Sequence, residues 1–167
     1  PESGVLNLNG RYKVTRQINV TRVCHLIALP GTEIRLHEQI FFQVDATFSG
    51  SWTFIGVDHV GAQGRCLDVE GEARFLNATA HFTNCGGPST EDGGGLYAEK
   101  SLLVQESQLE FRECEAIVGG SIFVQRGLYL SKSHLSVLDS KAEEFGGGIH
   151  VARFDVDDRS AAAFRNC

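Results

Sequence analysis

The stretch that decides the fold runs Gly93-Gly94-Gly95-Leu96-Tyr97-Ala98, followed by Ser101-Leu102-Leu103-Val104-Gln105 and Gln108-Leu109-Glu110-Phe111-Arg112-Glu113-Cys114. It holds three short runs in which apolar and polar residues alternate. Leu96 and Ala98, Leu102 and Val104, and Leu109 and Phe111 fall on one side of each run. Period-two alternation is the mark of a strand with one buried face, and the 3.6-residue period of a helix is never sustained. The same text recurs downstream. Ser121-Ile122-Phe123-Val124 and Gly148-Ile149-His150-Val151 repeat the glycine-led start, so that Leu96, Ile122 and Ile149 mark a nearly constant step. Phe82-Thr83-Asn84-Cys85, Phe111-Arg112-Glu113-Cys114, Val137-Leu138-Asp139-Ser140 and Phe164-Arg165-Asn166-Cys167 keep a second beat in time with the first.

Two landmarks on one clock, with a period between 20 and 50 residues, signal stacked repeats. Three strands of about five residues and the bends between them fill such a repeat, which is one rung of a parallel β-helix. No rung buries its apolar face alone, so its neighbours supply the core. Of 19 glycines, ten fall in the clusters 86–87, 93–95, 119–120 and 146–148, where the chain bends sharply. The column Asn84, Glu113, Asp139, Asn166 falls at another bend, where asparagine and aspartate tolerate left-handed backbone.

Working outward, residues 64–167 hold the regular repeats. Residues 1–63 read as two or three irregular rungs, with Pro1–Asn9 as part of a cap. The expectation is an all-β chain: a single right-handed parallel β-helix, or β-solenoid, of about six rungs of three short strands, in one domain spanning 1–167. The absence of methionine, together with a chain that opens at Pro1 and closes at Cys167, suggests a fragment of a larger protein. In that case further rungs of the same protein, or other protein chains, would cover its C-terminal face.

Composition narrows the function. A net charge of −6 argues against a nucleic-acid footprint. No apolar run reaches the roughly 18 to 20 residues of a membrane span, so no direct membrane insertion is expected. Phosphate-binding loops, dinucleotide fingerprints and zinc spacings are missing, and no cofactor or metal is expected.

The Gly-Gly-Gly-(Leu/Ile) and Phe-x-Asn-Cys elements of residues 64–167 resemble the repeats of polymorphic outer-membrane proteins, which are surface autotransporters. They are similar also to repeats in large surface proteins of protists. Gly10 to Leu36 resembles the opening rung of the pectin-lyase-like right-handed β-helix superfamily. The resemblance implies a secreted or cell-surface module with a structural or adhesive role; a non-enzymatic module is expected from the residues themselves, because the outward residue types do not match from rung to rung and the acidic surface would repel a polyuronate.

Several residues are candidates for chemistry. Asn19-Val20-Thr21 and Asn77-Ala78-Thr79 are N-glycosylation sequons, which occur by chance at this length. Cys85, Cys114 and Cys167 share one repeat column with Ser140. They read as a ladder of small buried thiols, a disulfide between adjacent rungs, or a redox or metal site. Cys24 and Cys66 have no partner in the repeat. Asp68, Tyr97, Phe123 and His150 share one outward column, in which adjacent Tyr97 and Phe123 form a candidate contact patch, with glycans among the candidate partners. The alternative function is a carbohydrate-active enzyme or carbohydrate-binding module, whose carboxylates would come from Asp68, Glu70, Asp155, Asp157 and Asp158, beside His150 and Arg159. A flat Thr or Ser array of the ice-binding kind is absent from the outward positions.

Overall fold

A computed structural model describes residues 4–57 and 65–167. All its regular elements are strands, and every pairing between them is parallel, in a right-handed β-solenoid of about six turns.

The strands stack into three faces. The first face rises from β1 (Gly4–Leu8) through the opening halves of β4 (Cys24–Leu36), β6 (Ala46–Gly56) and β8 (Ala73–Thr83). It continues through β10 (Ser101–Gln105), the later part of β13 (Ile122–Ser131) and the later part of β16 (Ile149–Val156). The second face is formed by β2 (Arg11–Val14), the closing halves of β4, β6 and β8, then β11 (Gln108–Arg112), β14 (His134–Leu138) and β17 (Ala161–Arg165). The third and shortest face holds β3 (Ile18–Val20), β5 (Ile40–Phe42), β7 (Leu67–Val69) and β9 (Leu96–Ala98), capped by the opening residues of β13 and β16. Two lateral strands, β12 (Glu115–Val118) and β15 (Lys141–Phe145), pair outside these faces, in the longer bends of the later rungs. They make a fourth side that the alternation did not announce.

The clock drifts along the axis. Gly4 lies under Cys24, Cys24 under Ala46 and Ala46 under Ala73, so the early rungs are shorter than those that follow. The short early rungs therefore hide the period, although they follow the same path. β1 occupies the first face and pairs with β4, so Gly4–Leu8 is a strand of the first rung. Residues 1–3 and the expected boundary at 63/64 lie outside the described residues.

Inward positions form ladders. Ile34, Phe54, Phe82, Phe111 and Val137 stack in one column of the second face. Within it the Phe54, Phe82 and Phe111 rings lie parallel with centroids 4.7 and 4.4 Å apart. This is close to the strand spacing, so every ring packs on the one below without adjustment. Phe48 on Phe75 repeats the arrangement on the first face, and Trp52 fills the early core with its Nε1–H donated to the Ser49 carbonyl.

The bends are built from left-handed residues. Asn84, Glu113, Asp139 and Asn166 all have φ between 51° and 54°, as the repeat column implies. A second such column, Asn77, Glu106 and Lys132, stands between the first and second faces. Each left-handed residue other than glycine costs about 1 kcal/mol or more, and the stack must hold it. A serine follows Glu106 and Lys132, and it does the holding. The Ser107 Oγ accepts the Ala78 N–H at 2.9 Å and donates to the Gln105 carbonyl. The Ser133 Oγ accepts the Ser107 N–H at 3.1 Å, and the Ser160 Oγ accepts the Ser133 N–H at 3.0 Å. Each hydroxyl thus satisfies the backbone donor one rung below. At Gly94 the constraint is space: a Cβ there would meet the Glu115, Gly120 and Cys85 carbonyls within 2.8 Å, so no larger residue fits between rungs.

Ser133→Ala removes the acceptor for the buried Ser107 N–H. It is expected to destabilise the chain by about 1–3 kcal/mol in denaturant unfolding, whereas Ser136→Ala, on the outward side of β14, changes stability by less than about 0.5 kcal/mol.

Candidate functional site

The outward side of the third face carries the candidate site. Register places Phe41, Asp68, Tyr97, Phe123 and His150 directly above one another. Tyr97 and Phe123 lie parallel with ring centroids 5.5 Å apart, and His150 continues the stack at 5.1 Å. At the other end the Arg65 guanidinium covers the Tyr97 ring, 4.6 Å from its centroid. The Tyr97 hydroxyl accepts a hydrogen bond from Gln125 Nε2 at 2.8 Å.

Tyr97 and Phe123 are therefore neighbours, as the repeat places them, but both are half-buried, and their ring faces are turned to each other, to Arg65 and to His150. A ring stacked on both sides has only its edge to offer. The column is thus poorly suited to stacking against the flat side of a sugar.

Below Tyr97 the surface opens into a cleft of about 320 Å³, lined among others by Arg65, Asp68, Glu70, Glu91, Asp92 and Glu99. Arg65 and Asp68 form a buried ion pair, with Nη1 to Oδ2 at 3.2 Å. The buried Arg65 Nε finds no acceptor among the described residues. Burial raises the Asp68 carboxyl above the usual aspartate value; Arg65 opposes the rise, and Glu70 and Glu99 add to it. Burial does the same to Asp92, with Arg65 and His150 opposing and Glu91 adding. Two carboxyls raised by burial beside one guanidinium mark this cleft as a candidate site. Asp68, Glu70 and His150 were legible in the sequence. Arg65 and Asp92 were not, because they lie in bends outside the repeated positions.

The other acidic candidates are held by structural bonds. Asp157 closes the bend before β17: its carboxylate accepts from the Ser160 and Ser131 hydroxyls and from the Lys132 and Arg159 backbone N–H groups. The Ser160 bond leads in pulling its carboxyl down to about 2. Asp155 pairs with Arg153, while Asp158 is fully in solvent and loosely paired with Arg159. These residues sit at a rung end and do not converge with the Asp68 cleft. Among the described residues, no group of three His, Cys, Asp or Glu side chains has the arrangement of a metal site.

The cysteine column needs correction. Cys85 does not stand in a thiol ladder, because it is disulfide-bonded to Cys66, the residue that the repeat left without a partner, 19 positions earlier. The bond joins the bend entering β7 to the bend leaving β8, across adjacent rungs. Cys66 lies outside the repeated column, which is why the repeat concealed the pair. Cys114 remains a buried free thiol, with burial pushing it up to about 11, and it donates to the Arg112 carbonyl in the same position from which Ser140 donates to Leu138. Cys167 is free and exposed, and half-buried Cys24 is free. The two sequon asparagines are exposed, Asn19 on β3 and Asn77 at a left-handed bend.

No family model matches the chain, and no curated protein or solved structure matches it either.

The acidic groups have opposite signs of linkage. The raised Asp68 and Asp92 values favour the fold below the ordinary aspartate pKa, and that contribution is lost as pH rises through their folded values. The lowered Asp157 value contributes stability above the ordinary aspartate pKa, and this is lost as pH falls toward about 2. Carboxyl NMR is expected to find Asp157 titrating near 2 and the other two above the ordinary value. Asp157→Asn is expected to lose stability at neutral pH and to match the unsubstituted chain in strong acid.

Proposed function

We propose that the chain is a non-enzymatic, rigid scaffold module of a secreted or cell-surface protein, serving structure, adhesion or assembly. The observation that carries this reading is the uninterrupted register of three parallel faces, which fixes outward side chains in straight columns. Such a shape holds contacts at set spacings without ordering cost on binding. The Cys66–Cys85 disulfide supports an oxidising compartment, and the exposed sequons at Asn19 and Asn77 fit the same compartment. The glycine-led and Phe-x-Asn-Cys elements support placing the repeats with those of polymorphic outer-membrane proteins, within the pectin-lyase-like superfamily.

A carbohydrate-active enzyme is the second reading, and the Arg65–Asp68–Asp92 cleft favours it. Desolvated carboxyls are the type of group that acts as a general acid.

One experiment separates the two. The chain is incubated with a panel of neutral, acidic and amino polysaccharides, and new reducing or unsaturated ends are assayed. No turnover is expected. Turnover lost in both Asp68→Asn and Asp92→Asn would replace the scaffold reading with the enzymatic one. For the compartment, peptide mapping of native material without reductant is expected to recover Cys66 and Cys85 as one linked peptide. Cys66→Ser is expected to lower stability by about 3 kcal/mol, the entropic effect of a loop of this size.

A further inference from the structure

Several carboxyls of the solenoid stand beside cations. Glu33 pairs with Arg35, Asp45 and Glu72 with Arg74, Glu106 with Lys132 and Glu110 with Arg112. The cleft on the third face is different. Among the described residues, Glu70, Glu91, Asp92 and Glu99 have no cation within ion-pair distance. With Asp68 they set five carboxyls around the single guanidinium of Arg65, in a cleft carried by the middle rungs. His150 is the other basic group that acts on Asp92.

Unpartnered polar atoms mark the same face. Among the described residues, three buried side-chain atoms find no hydrogen-bond partner: Gln39 Oε1, Arg65 Nε and Thr90 Oγ1. Each lies in a bend that leads into the third face, Gln39 before β5, Arg65 before β7 and Thr90 before β9. Arg65 is the one that lines the cleft, and it is only 7% exposed. Its Nη1 is taken by Asp68, so Nε is the donor left for a ligand. A buried donor without an acceptor costs free energy, and a molecule that brings the acceptor binds with that gain.

A ligand that answers both features carries a positive charge and, beside it, an oxygen that accepts. A uronate brings acceptors, but its charge repels five carboxyls. A neutral sugar brings acceptors and leaves the charge unbalanced. A lysine side chain brings the charge on a flexible stem with no acceptor next to it. A 2-amino sugar brings an ammonium flanked by hydroxyls on the adjacent carbons. Because the Tyr97 and Phe123 ring faces are closed, a sugar is recognised here through the polar groups along its edge. About 320 Å³ is at the small end of ligand sites and suits a short sugar segment.

We infer that the cleft between Arg65 and Asp92 binds an amino sugar of a polysaccharide, its ammonium held among Asp68, Glu70, Asp92 and the neighbouring glutamates and a ring hydroxyl accepting from Arg65 Nε. An ammonium beside Asp68 and Asp92 offsets the desolvation that raises both carboxyls. The charge reaches the cleft from the ligand, as no cation besides Arg65 lines it among the described residues. This inference rests on the scaffold reading and names what the adhesive module holds.

Titration calorimetry of the purified chain at about pH 6, where an amine of this type is protonated, tests the site with three probes: a glucosamine tetramer, its N-acetylated form and tetralysine. The glucosamine tetramer is expected to bind, and the acetylated form, which has lost the charge, to bind at least tenfold more weakly, about 1.4 kcal/mol. Glu91→Gln and Glu99→Gln change exposed side chains and spare the fold. Each is expected to weaken binding about two- to fivefold, and Asp92→Asn to weaken it further. Arg65→Lys keeps the charge and removes Nε, so it is expected to weaken the glucosamine tetramer and leave tetralysine unchanged. Circular dichroism confirms that each variant keeps its strands. No binding at millimolar probe, equal binding of the acetylated form or of tetralysine, or indifference to the carboxyl variants overturns the proposal. Each of these results leaves the scaffold reading standing, since that reading fails only on polysaccharide turnover.

Discussion

The structure depends on the hydrogen-bonded contact between one rung and the next. In a parallel stack each strand finds its backbone partners a full turn away in sequence, as Gly4 finds Cys24 and Ala73 finds Leu102, and finds few within its own turn. No rung is stable by itself, and each becomes stable by lying on another. Everything else serves this contact. The inward side chains must tolerate a like residue one strand spacing away, which flat rings and branched aliphatics do. The bends must bring the chain round at the same height every time, whatever their conformational cost.

The bends show how that cost is met. Among the described residues, seven other than glycine sit in left-handed backbone, including a lysine and two glutamates. None of these three is a residue that favours the conformation locally. The ladder compensates. Serine hydroxyls at the following position take up the N–H groups that the bend exposes, and side chains at the bends pair along the axis, as in Lys132 with Glu106 and Asn166 with Asp139. A residue that would be strained in an isolated loop is over-determined by its neighbours above and below.

The outward side of the third face is governed by the same spacing. It turns adjacent aromatic residues into a closed stack of Tyr97, Phe123 and His150, which removes the ring faces from any ligand. It also sets Asp68 beneath Tyr97, where Arg65 reaches in from a bend to neutralise it. The cleft is therefore the meeting of a repeated column with side chains that do not repeat.

The sequence determined the strands, the bends and their period, because these are local or periodic properties. Alternation declares which side of a strand is buried, glycine clusters and Asn–Cys steps mark the bends, and two landmarks in step reveal the stacking. From that stacking the register follows, and with it the vertical column of Asp68, Tyr97, Phe123 and His150. Tertiary structure decided what happens between residues that do not share the repeat. Cys66 meets Cys85, Arg65 meets Asp68 and Tyr97, and Asp92 comes to the same cleft, each across bends whose lengths vary from rung to rung. A variable bend has no period to read, so the position of its side chains is fixed only when the neighbouring rungs close around it.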